Sequence, residues 1–197
     1  MASTCNSLNT SFAPTCDSIK RVGGMASFMY ACNLKDIASY TVDATSKDIE
    51  TIVMEGSTVI YKIEGRKAKN SGSIELQKGD SLNTWMQKLN VVFYSHTSLL
   101  NTKIENFADA EDLVFFVPDA GGKITVWGLD VNSGSVADPF GGLTAETGLM
   151  ETGTEINGRK PMAITFSGEC RNMERYFNID STPTYDANIS YLEALLS

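Results

Sequence analysis

Histidine is almost absent from this chain of 197 residues, because His96 is its only one. A Ser-His-Asp catalytic triad or a Cys-His dyad would have to use that residue, and zinc sites with two histidines are excluded. Cysteine is also sparse: the chain has Cys5, Cys16, Cys32 and Cys170, and none of them forms a C-x-x-C pair. We therefore predict no structural metal site. Reduced thiols are the default, and a disulfide among the three N-terminal cysteines is left open.

Long apolar runs are lacking as well. No stretch approaches the ~18 consecutive apolar residues of a membrane span. The first residues, MASTCNSLNTSFAPTC, carry neither the early positive charge nor the apolar region of a secretory signal. These features predict a soluble protein that is made in a cytoplasm and has no membrane partner.

Basic residues are in deficit, and the formal net charge is −8. Residues 1–100 carry ten Lys and Arg against nine Asp and Glu, whereas residues 101–197 carry six against fifteen. An acidic surface repels phosphate, which argues against specific binding of DNA or RNA. The only basic cluster consists of Arg66, Lys67 and Lys69, and its simplest interpretation is a solvated hairpin tip.

Motifs of catalysis and cofactor binding are missing. Gly121–Lys123 resembles the end of a phosphate-binding loop, but Val117 stands where the first glycine is needed, and Ile124 replaces the Ser or Thr that would hold magnesium. Carboxylates of a Gly/Thr-rich segment could in principle form an acid–base pair, although nothing distinguishes them from solvated loop residues. These are Glu146, Glu151 and Glu155. We predict no catalytic residue, no cofactor, no metal and no enzymatic activity.

What the chain does contain is mostly β-strand pattern. Apolar, β-rich runs occupy residues 25–33, 49–63 and 162–167, and Glu55–Ser57 marks a turn inside the second run. The runs LVFFVPD and KITVWGL flank the glycine turn Ala120–Gly122 and predict a hairpin. The segment 130–158, rich in glycine, reads as a long loop or a pair of short strands with bends.

Two segments carry helical spacing. In residues 81–95 the apolar positions fit either a helix or a strand, and we favour a long strand because glycine turns bound the neighbouring strands at similar intervals. Residues 97–111 predict an amphipathic helix without Gly or Pro, because the apolar residues lie on one stripe. These are Leu99, Leu100, Ile104 and Phe107.

The predicted fold class is mainly β: two packed antiparallel sheets, as a sandwich or rolled barrel, with one flanking amphipathic helix and extended N- and C-terminal arms. Residues 1–20 form the N-terminal arm and residues 21–180 the domain, which includes a long hairpin at about 48–79. Residues 181–197 form the C-terminal arm, which could pack as a short strand or helix or dock on a neighbour.

A family pattern runs through the second half of the chain. The segment VFFVPDAGGKITVWGLD is followed by TGTEINGRKPMAITFSGE, and together they resemble the tail tube proteins of tailed bacteriophages, especially a type found among phages of Bacteroidetes. Arg159 and Lys160 stand where that type usually has an aromatic residue. The matching residues are Gly122, Lys123, Trp127, Gly128, Leu129, Thr152, Gly153, Thr154, Asn157, Gly158, Ile164, Thr165, Phe166, Gly168 and Glu169.

The resemblance implies two packed sheets with a flanking helix, homo-oligomeric rings of six copies, and stacking of those rings into a hollow tube of the virion tail. The tube would be assembled in the host cytoplasm with other phage tail proteins, and genomic DNA would pass through its lumen without specific binding. An acidic lining would suit such a channel, because like charge lets the DNA backbone slide.

Charged residues are the candidates for contacts between subunits or rings. We expect the basic cluster to face acidic residues of the second half of a neighbouring copy. The candidates are Arg66, Lys67, Lys69, Glu146, Glu151 and Glu155. The alternatives are a neck or head–tail connector, a capsid decoration protein, an interaction module or adhesin of β-sandwich type, and, last, an enzyme.

Overall fold

A computed structural model describes residues 25–64, 69–79, 83–94, 98–131, 141–150, 161–179 and 184–196. These residues form eleven strands, two α-helices and the short 3-10 turn Leu34–Asp36. The strands are β1 (Phe28–Asn33), β2 (Ile37–Val42), β3 (Ile49–Met54), β4 (Tyr61–Glu64), β5 (Ser71–Gln77), β6 (Thr84–Tyr94), β7 (Leu113–Pro118), β8 (Ile124–Trp127), β9 (Thr144–Met150), β10 (Pro161–Cys170) and β11 (Arg175–Tyr176). The helices are α1 (Ser98–Ala108) and α2 (Tyr185–Ala194).

The central sheet has five strands in the order β11-β8-β7-β1-β4, and all of its pairings are antiparallel. All six residues of β7 are buried. A strand covered on both faces needs apolar side chains at every position, whereas a strand with one wet face alternates. The continuous run LVFFVP therefore marks a strand enclosed between two layers.

A four-stranded antiparallel sheet, β5-β6-β10-β9, covers one face of the central sheet. The core between them contains Leu89 of β6, Phe115 of β7 and Phe166 of β10. Helix α1 adds Ile104 and Phe107 to this core, and the Phe107 ring centroid lies 4.8 Å from that of Phe166. The flanking helix therefore closes one side of the sandwich.

The two-stranded ribbon β2-β3 and helix α2 cover the other face of the central sheet. Phe116 of β7 packs edge-on against Phe177, with ring centroids 5.7 Å apart, and Phe177 contacts Tyr191 of α2 at 5.6 Å. Leu192 is fully buried in the same core. The molecule thus has three layers, with the five-stranded sheet in the middle.

The predicted fold class is confirmed: the chain is mainly β, with packed antiparallel sheets and a flanking helix. The segment 81–95 contains the long strand β6, and the hairpin around Ala120–Gly122 is formed by β7 and β8. The predicted helix at 97–111 is α1, which ends earlier, at Ala108. Asp112, four residues later, has a φ of 52°, which a continuing helix does not allow.

The predicted long hairpin at 48–79 is wrong. A turn does form, because the N–H of Thr58 donates to the carbonyl of Glu55 at 3.0 Å. However, β3 pairs with β2, β4 pairs with β1, and β5 pairs with β6. Ile52 belongs to the core on one side of the central sheet, whereas Ile63 packs into the core on the other side. The two apolar runs therefore belong to different layers, and burial decided the pairing instead of closeness in sequence.

The C-terminal segment also differs from an extended arm. Residues 184–196 contain α2, whose first turn is capped by the Thr184 side chain, which accepts from the N–H of Ala187 at 3.2 Å. Its side chains Ile189, Tyr191 and Leu192 pack on the chain's own core. Of the three outcomes left open for residues 181–197, the described part is a helix. The predicted N-terminal arm, residues 1–20, lies outside the described residues.

Candidate assembly surface

Two of the predicted interface residues are described, and they lie on opposite edges of the four-stranded sheet. Lys69 is exposed just before β5, and Glu146 is exposed on β9. Because β5 and β9 are the two edge strands of that sheet, the structure does not bring these charges together within one subunit. The other predicted interface residues lie outside the described residues. These are Arg66, Lys67, Glu151 and Glu155.

The outer face of the four-stranded sheet can be assigned from the strand register. Residues directly opposite each other in an antiparallel pair point to the same face, and neighbours along a strand point to opposite faces. Leu89 and Phe166 face the core, so the residues between them in register face outward. The outward set is Ser71, Ser73, Glu75 and Gln77 on β5, Thr84, Met86, Lys88, Asn90 and Val92 on β6, Ala163, Thr165, Ser167 and Glu169 on β10, and Thr144, Thr147 and Leu149 on β9; of these, Thr84 and Val92 are buried. A register shift of β9 opposite Thr165 and Phe166 leaves Glu146 without a partner in register, and its carboxylate reaches Lys88 on the same face.

This outer face carries mostly hydroxyl and amide groups, and its charge is acidic. Its charged members are Glu75, Glu146, Glu169 and the single base Lys88. The Lys88 ammonium lies 3.8 Å from the Glu146 carboxylate, so one acidic charge is partly offset. Both side chains are well exposed, and solvent screening keeps such a pair weak. The net excess of carboxylates therefore remains available to repel an anion.

Sequence reasoning identified Glu146 but did not single out Glu75 or Lys88 as surface residues of one face. The signal was present, because β6 alternates apolar and polar residues with a period of two around Leu89. Glu169 was part of the family pattern only. The order in which the four strands pair could not be predicted from the sequence, since it depends on contacts between distant segments.

Both edges of this sheet are unpaired along their whole length in the described part of the chain. Strand β5 spans seven residues, six of them exposed, and β9 also spans seven. Neither strand contains proline, and each carries a single charge. Leu149 of β9 adds an apolar side chain that is 60% exposed. Natural sheets usually blunt such edges with several charges, proline or a covering element. Helix α1 lies close to β9, but neither edge strand has a strand partner in the described residues, so a further strand can pair there.

Three glycines fix how the four-stranded sheet meets the central sheet. Gly128 follows β8 with a φ of 80°, Gly142 precedes β9 with a φ of 78°, and Gly168 lies in β10. The N–H of Gly142 donates to the carbonyl of Gly128 at 2.6 Å. A β-carbon on Gly168 would overlap the carbonyl oxygen of Gly142. Gly128 and Gly168, two residues of the family pattern, therefore both lie at this junction, where the backbones of the two sheets come into contact through Gly142.

A buried amide strengthens this junction. Gln87 of β6 is fully buried, its Oε1 accepts from the N–H of Gly128 at 2.8 Å, and its Nε2 donates to the carbonyl of Asn172 at 3.0 Å. The Asn172 side chain in turn accepts from the N–H of Val131 at 2.9 Å. Buried polar groups that are paired in this way tie the sheets into one rigid unit. The open edges are therefore presented in a fixed geometry.

A groove of about 890 Å³ lies between β4 and α1. Apolar side chains such as Ile63, Phe93 and Ile104 line much of it, with Lys62 and Lys103 among its few charged residues.

Reactive side chains are not gathered in the described residues. Nowhere in that part of the chain do three or more His, Cys, Asp or Glu side chains come close enough to hold a metal ion. Burial raises the pKa of the Cys32 and Cys170 thiols to about 12, so both stay protonated at neutral pH. His96 lies outside the described residues. No described helix has the length and apolar character needed to cross a bilayer.

Comparison with known proteins adds no relative: no protein-family model, no curated protein and no solved structure matches this chain.

Proposed function

We propose that this chain is the tail tube subunit of a tailed bacteriophage, and that copies of it join into rings that stack into the channel for DNA ejection. The observation that carries the proposal is the pair of open edges on the four-stranded sheet. Each subunit offers β5 on one side and β9 on the other, held on a rigid three-layer scaffold.

The directions of the two edge strands support ring formation. Every pairing in the order β5-β6-β10-β9 is antiparallel, so β5 and β9 run in opposite directions. If β9 of one copy lies beside β5 of the next, that new pairing is again antiparallel. The contact uses two different surfaces of each copy, and repeating it closes a ring when the rotation fits.

The same arrangement gives the predicted charged residues a partner. In an antiparallel contact the beginning of β5 lies beside the end of the neighbour's β9. Lys69 stands just before β5, and in sequence Glu151 follows Met150, the last residue of β9. The basic cluster of one copy would then meet the acidic segment of the next, although the two are apart within one subunit.

The outer face of the four-stranded sheet supports a channel wall. When the sheets of neighbouring copies join edge to edge, their outer faces form one continuous surface. Three carboxylates against one lysine make that surface repel phosphate, and its many hydroxyls keep it wetted. DNA could then move along it without lasting contacts.

The first experiment is electron microscopy of negatively stained, concentrated protein. Tubes or hexameric rings are the expected result, whereas isolated rings that never stack would favour the neck, connector or decoration alternative. Strictly monomeric protein would contradict the proposal.

Edge variants test the mechanism of assembly. Ser73→Lys on β5 and Thr147→Lys on β9 each place a charge on an open edge, and each should abolish rings while far-UV circular dichroism stays unchanged. Thr102→Lys, on the exposed surface of α1, is the matched control and should assemble normally. Rings that survive both edge variants would show that these edges do not join the subunits.

Charge reversal tests the role of the basic cluster. Replacing Arg66, Lys67 and Lys69 together by Glu should weaken the contact between neighbouring copies and so reduce the yield and length of the tubes, because bases that face carboxylates become carboxylates. Tube length and yield equal to those of the wild-type chain would refute this role.

A further inference from the structure

The edge strand β4 of the central sheet has an open side. Within the described residues β4 pairs with β1 alone, so alternate residues of Tyr61–Glu64 point their N–H and carbonyl groups away from the sheet. Just before this strand the edge is closed, because the N–H of Ile60 donates to the carbonyl of Leu195 at 3.1 Å. Three of the four residues of β4 are exposed, and none is proline. The open edge therefore spans the length of β4.

The groove between β4 and α1 runs beside this open edge, because Tyr61 and Ile63 of β4 are among its lining residues. Its apolar lining includes Phe93, Ile104 and Phe107, which belong to the core between the two large sheets. Tyr61 is 60% exposed. A further strand beside β4 would point every second side chain to the groove side, as Ile63 does, and would cover apolar surface there.

The predicted N-terminal arm has the composition that this groove requires. Residues 1–16 contain no Lys, Arg, Asp, Glu or His. In the run SLNTSFA, residues 7–13, the positions Leu8, Thr10 and Phe12 alternate with polar residues. A strand over this run would place both apolar side chains on one face. Pro14 follows directly and cannot donate to a strand ladder, so the pairing segment would end there.

The length of the N-terminal segment allows it to reach the groove of its own chain. The described chain begins at Met25, three residues before Phe28, which pairs with Glu64 at the end of β4. The far end of the open edge lies about six strand residues along and two strand spacings across, a path of roughly 30 Å. Residues 14–24 can span about 36 Å, and the glycine pair before Met25 permits a reversal of direction.

Two other segments outside the described residues are long enough to form such a strand, 132–140 and 151–160. Both run between two described elements, which fix their ends, and both carry charged side chains. A charge enclosed among apolar side chains costs free energy unless it is paired. Residues 1–16 bring no charged side chain into the groove, so the N-terminal segment is the better occupant.

We propose that residues 7–13 add a strand to β4 of their own chain, with Leu8 and Phe12 covering the apolar groove beside α1. The added strand satisfies the outward backbone groups of β4 and extends the central sheet by one strand. The contact uses neither the β5 edge nor the β9 edge, so it is tested separately from ring formation.

Hydrogen exchange of the full chain, read at single amides, tests the added strand. Leu8→Lys together with Phe12→Lys places two charges in the apolar groove. Asn9→Lys together with Ser11→Lys adds the same charges on the opposite face of the strand and is the matched control. The outward N–H groups of Tyr61–Glu64 should exchange roughly tenfold faster in the first variant than in the wild type, and at the wild-type rate in the control.

Two outcomes of this exchange experiment would overturn the proposal. One is equal exchange in the two lysine variants. The other needs no variant: outward N–H groups of β4 that exchange at the unprotected rate in the wild-type chain. Protection should also stay the same on hundredfold dilution, because a contact within one chain does not depend on concentration. Protection that falls on dilution would assign the strand to a neighbouring copy and overturn its assignment to the same chain.

A synthetic peptide tests whether the groove accepts this sequence. A fluorescent peptide of residues 6–14 should bind the Leu8→Lys, Phe12→Lys chain roughly tenfold more tightly than the wild-type chain, whose own segment competes at a high effective concentration. The same peptide carrying both lysines should show no such gain. Equal binding of the unmodified peptide to both chains would overturn the docking site.

Discussion

Replacing Gly168 by alanine tests the junction between the two large sheets. A β-carbon at this position would overlap the carbonyl oxygen of Gly142, and it would also lie 3.0 Å from the Leu143 side chain. The Gly142 backbone has little freedom to retreat. Its own N–H is bonded to Gly128 at 2.6 Å, and the next residue, Leu143, exchanges two backbone bonds with Leu113, at 2.8 and 2.9 Å.

The size of the expected destabilisation follows from which atoms the added methyl group must displace. Extra methyl groups in a packed interior typically cost about 1–3 kcal/mol, and the upper end applies where the obstacle is backbone. We therefore expect Gly168→Ala to lower the free energy of unfolding by about 3 kcal/mol. For a chain of this length each kcal/mol moves the melting temperature by about 2–4 °C, so the expected fall is roughly 6–12 °C.

Thermal and urea unfolding followed by circular dichroism measure this effect, at one fixed protein concentration because self-association shifts the midpoint. Gly148→Ala is the matched control. Gly148 also lies in a strand of the same sheet, but the nearest atom to its added β-carbon is the Ala163 carbonyl oxygen at 4.0 Å. Its stability should stay within about 0.5 kcal/mol of the wild type. A Gly168→Ala variant as stable as Gly148→Ala would refute the close approach of the two backbones.

Three further predictions concern buried and charged groups. Burial raises the thiol pKa of Cys32 and Cys170 to about 12, so both should stay unlabelled by iodoacetamide in the native chain and become labelled in denaturant. Peptide mass mapping would measure the labelling, and native labelling at the denatured rate would contradict their burial. Gln87→Ala leaves the N–H of a buried glycine unpaired and should cost about 2–3 kcal/mol in urea unfolding, whereas Gln77→Ala, on an exposed strand end, should change little. The hydrogen bond and charge of the β4 lysine lower the pKa of Glu193, so its contribution is present at neutral pH and is lost as the pH falls through that lowered pKa. The melting temperatures of the wild type and Glu193→Gln should therefore differ at pH 7 and converge as the pH falls below that lowered pKa, and a difference that persists there would contradict the ion pair.

Local signals in the sequence were sufficient for some of the fold. The hairpin of β7 and β8 follows from the turn Ala120–Gly122 between two apolar runs, because turn chemistry acts over a few residues. The buried amide Gln87 was not recognised, although it shares the period-two face of Leu89 and Phe93. A polar residue on an apolar face is the signal that marks such a buried bridge.

The pairing of strands that lie far apart in the chain could not be predicted from the sequence alone. Nothing near β3 or β4 indicates that Ile52 and Ile63 lie on opposite faces of the central sheet. The charges of the candidate interface, Lys69 and Glu146, were found by composition and position. Their placement on opposite edges follows from the order of four strands that come from residues 71 to 170.

The three layers are interleaved along the chain. The central sheet needs strands from β1 to β11, the outer ribbon needs α2 to cover it, and the four-stranded sheet extends as far as Cys170. No fragment that emerges early from a ribosome therefore contains a finished layer. The core can close only after α2 has been made, so assembly with further copies must wait until residues as far as Ala194 have left the ribosome.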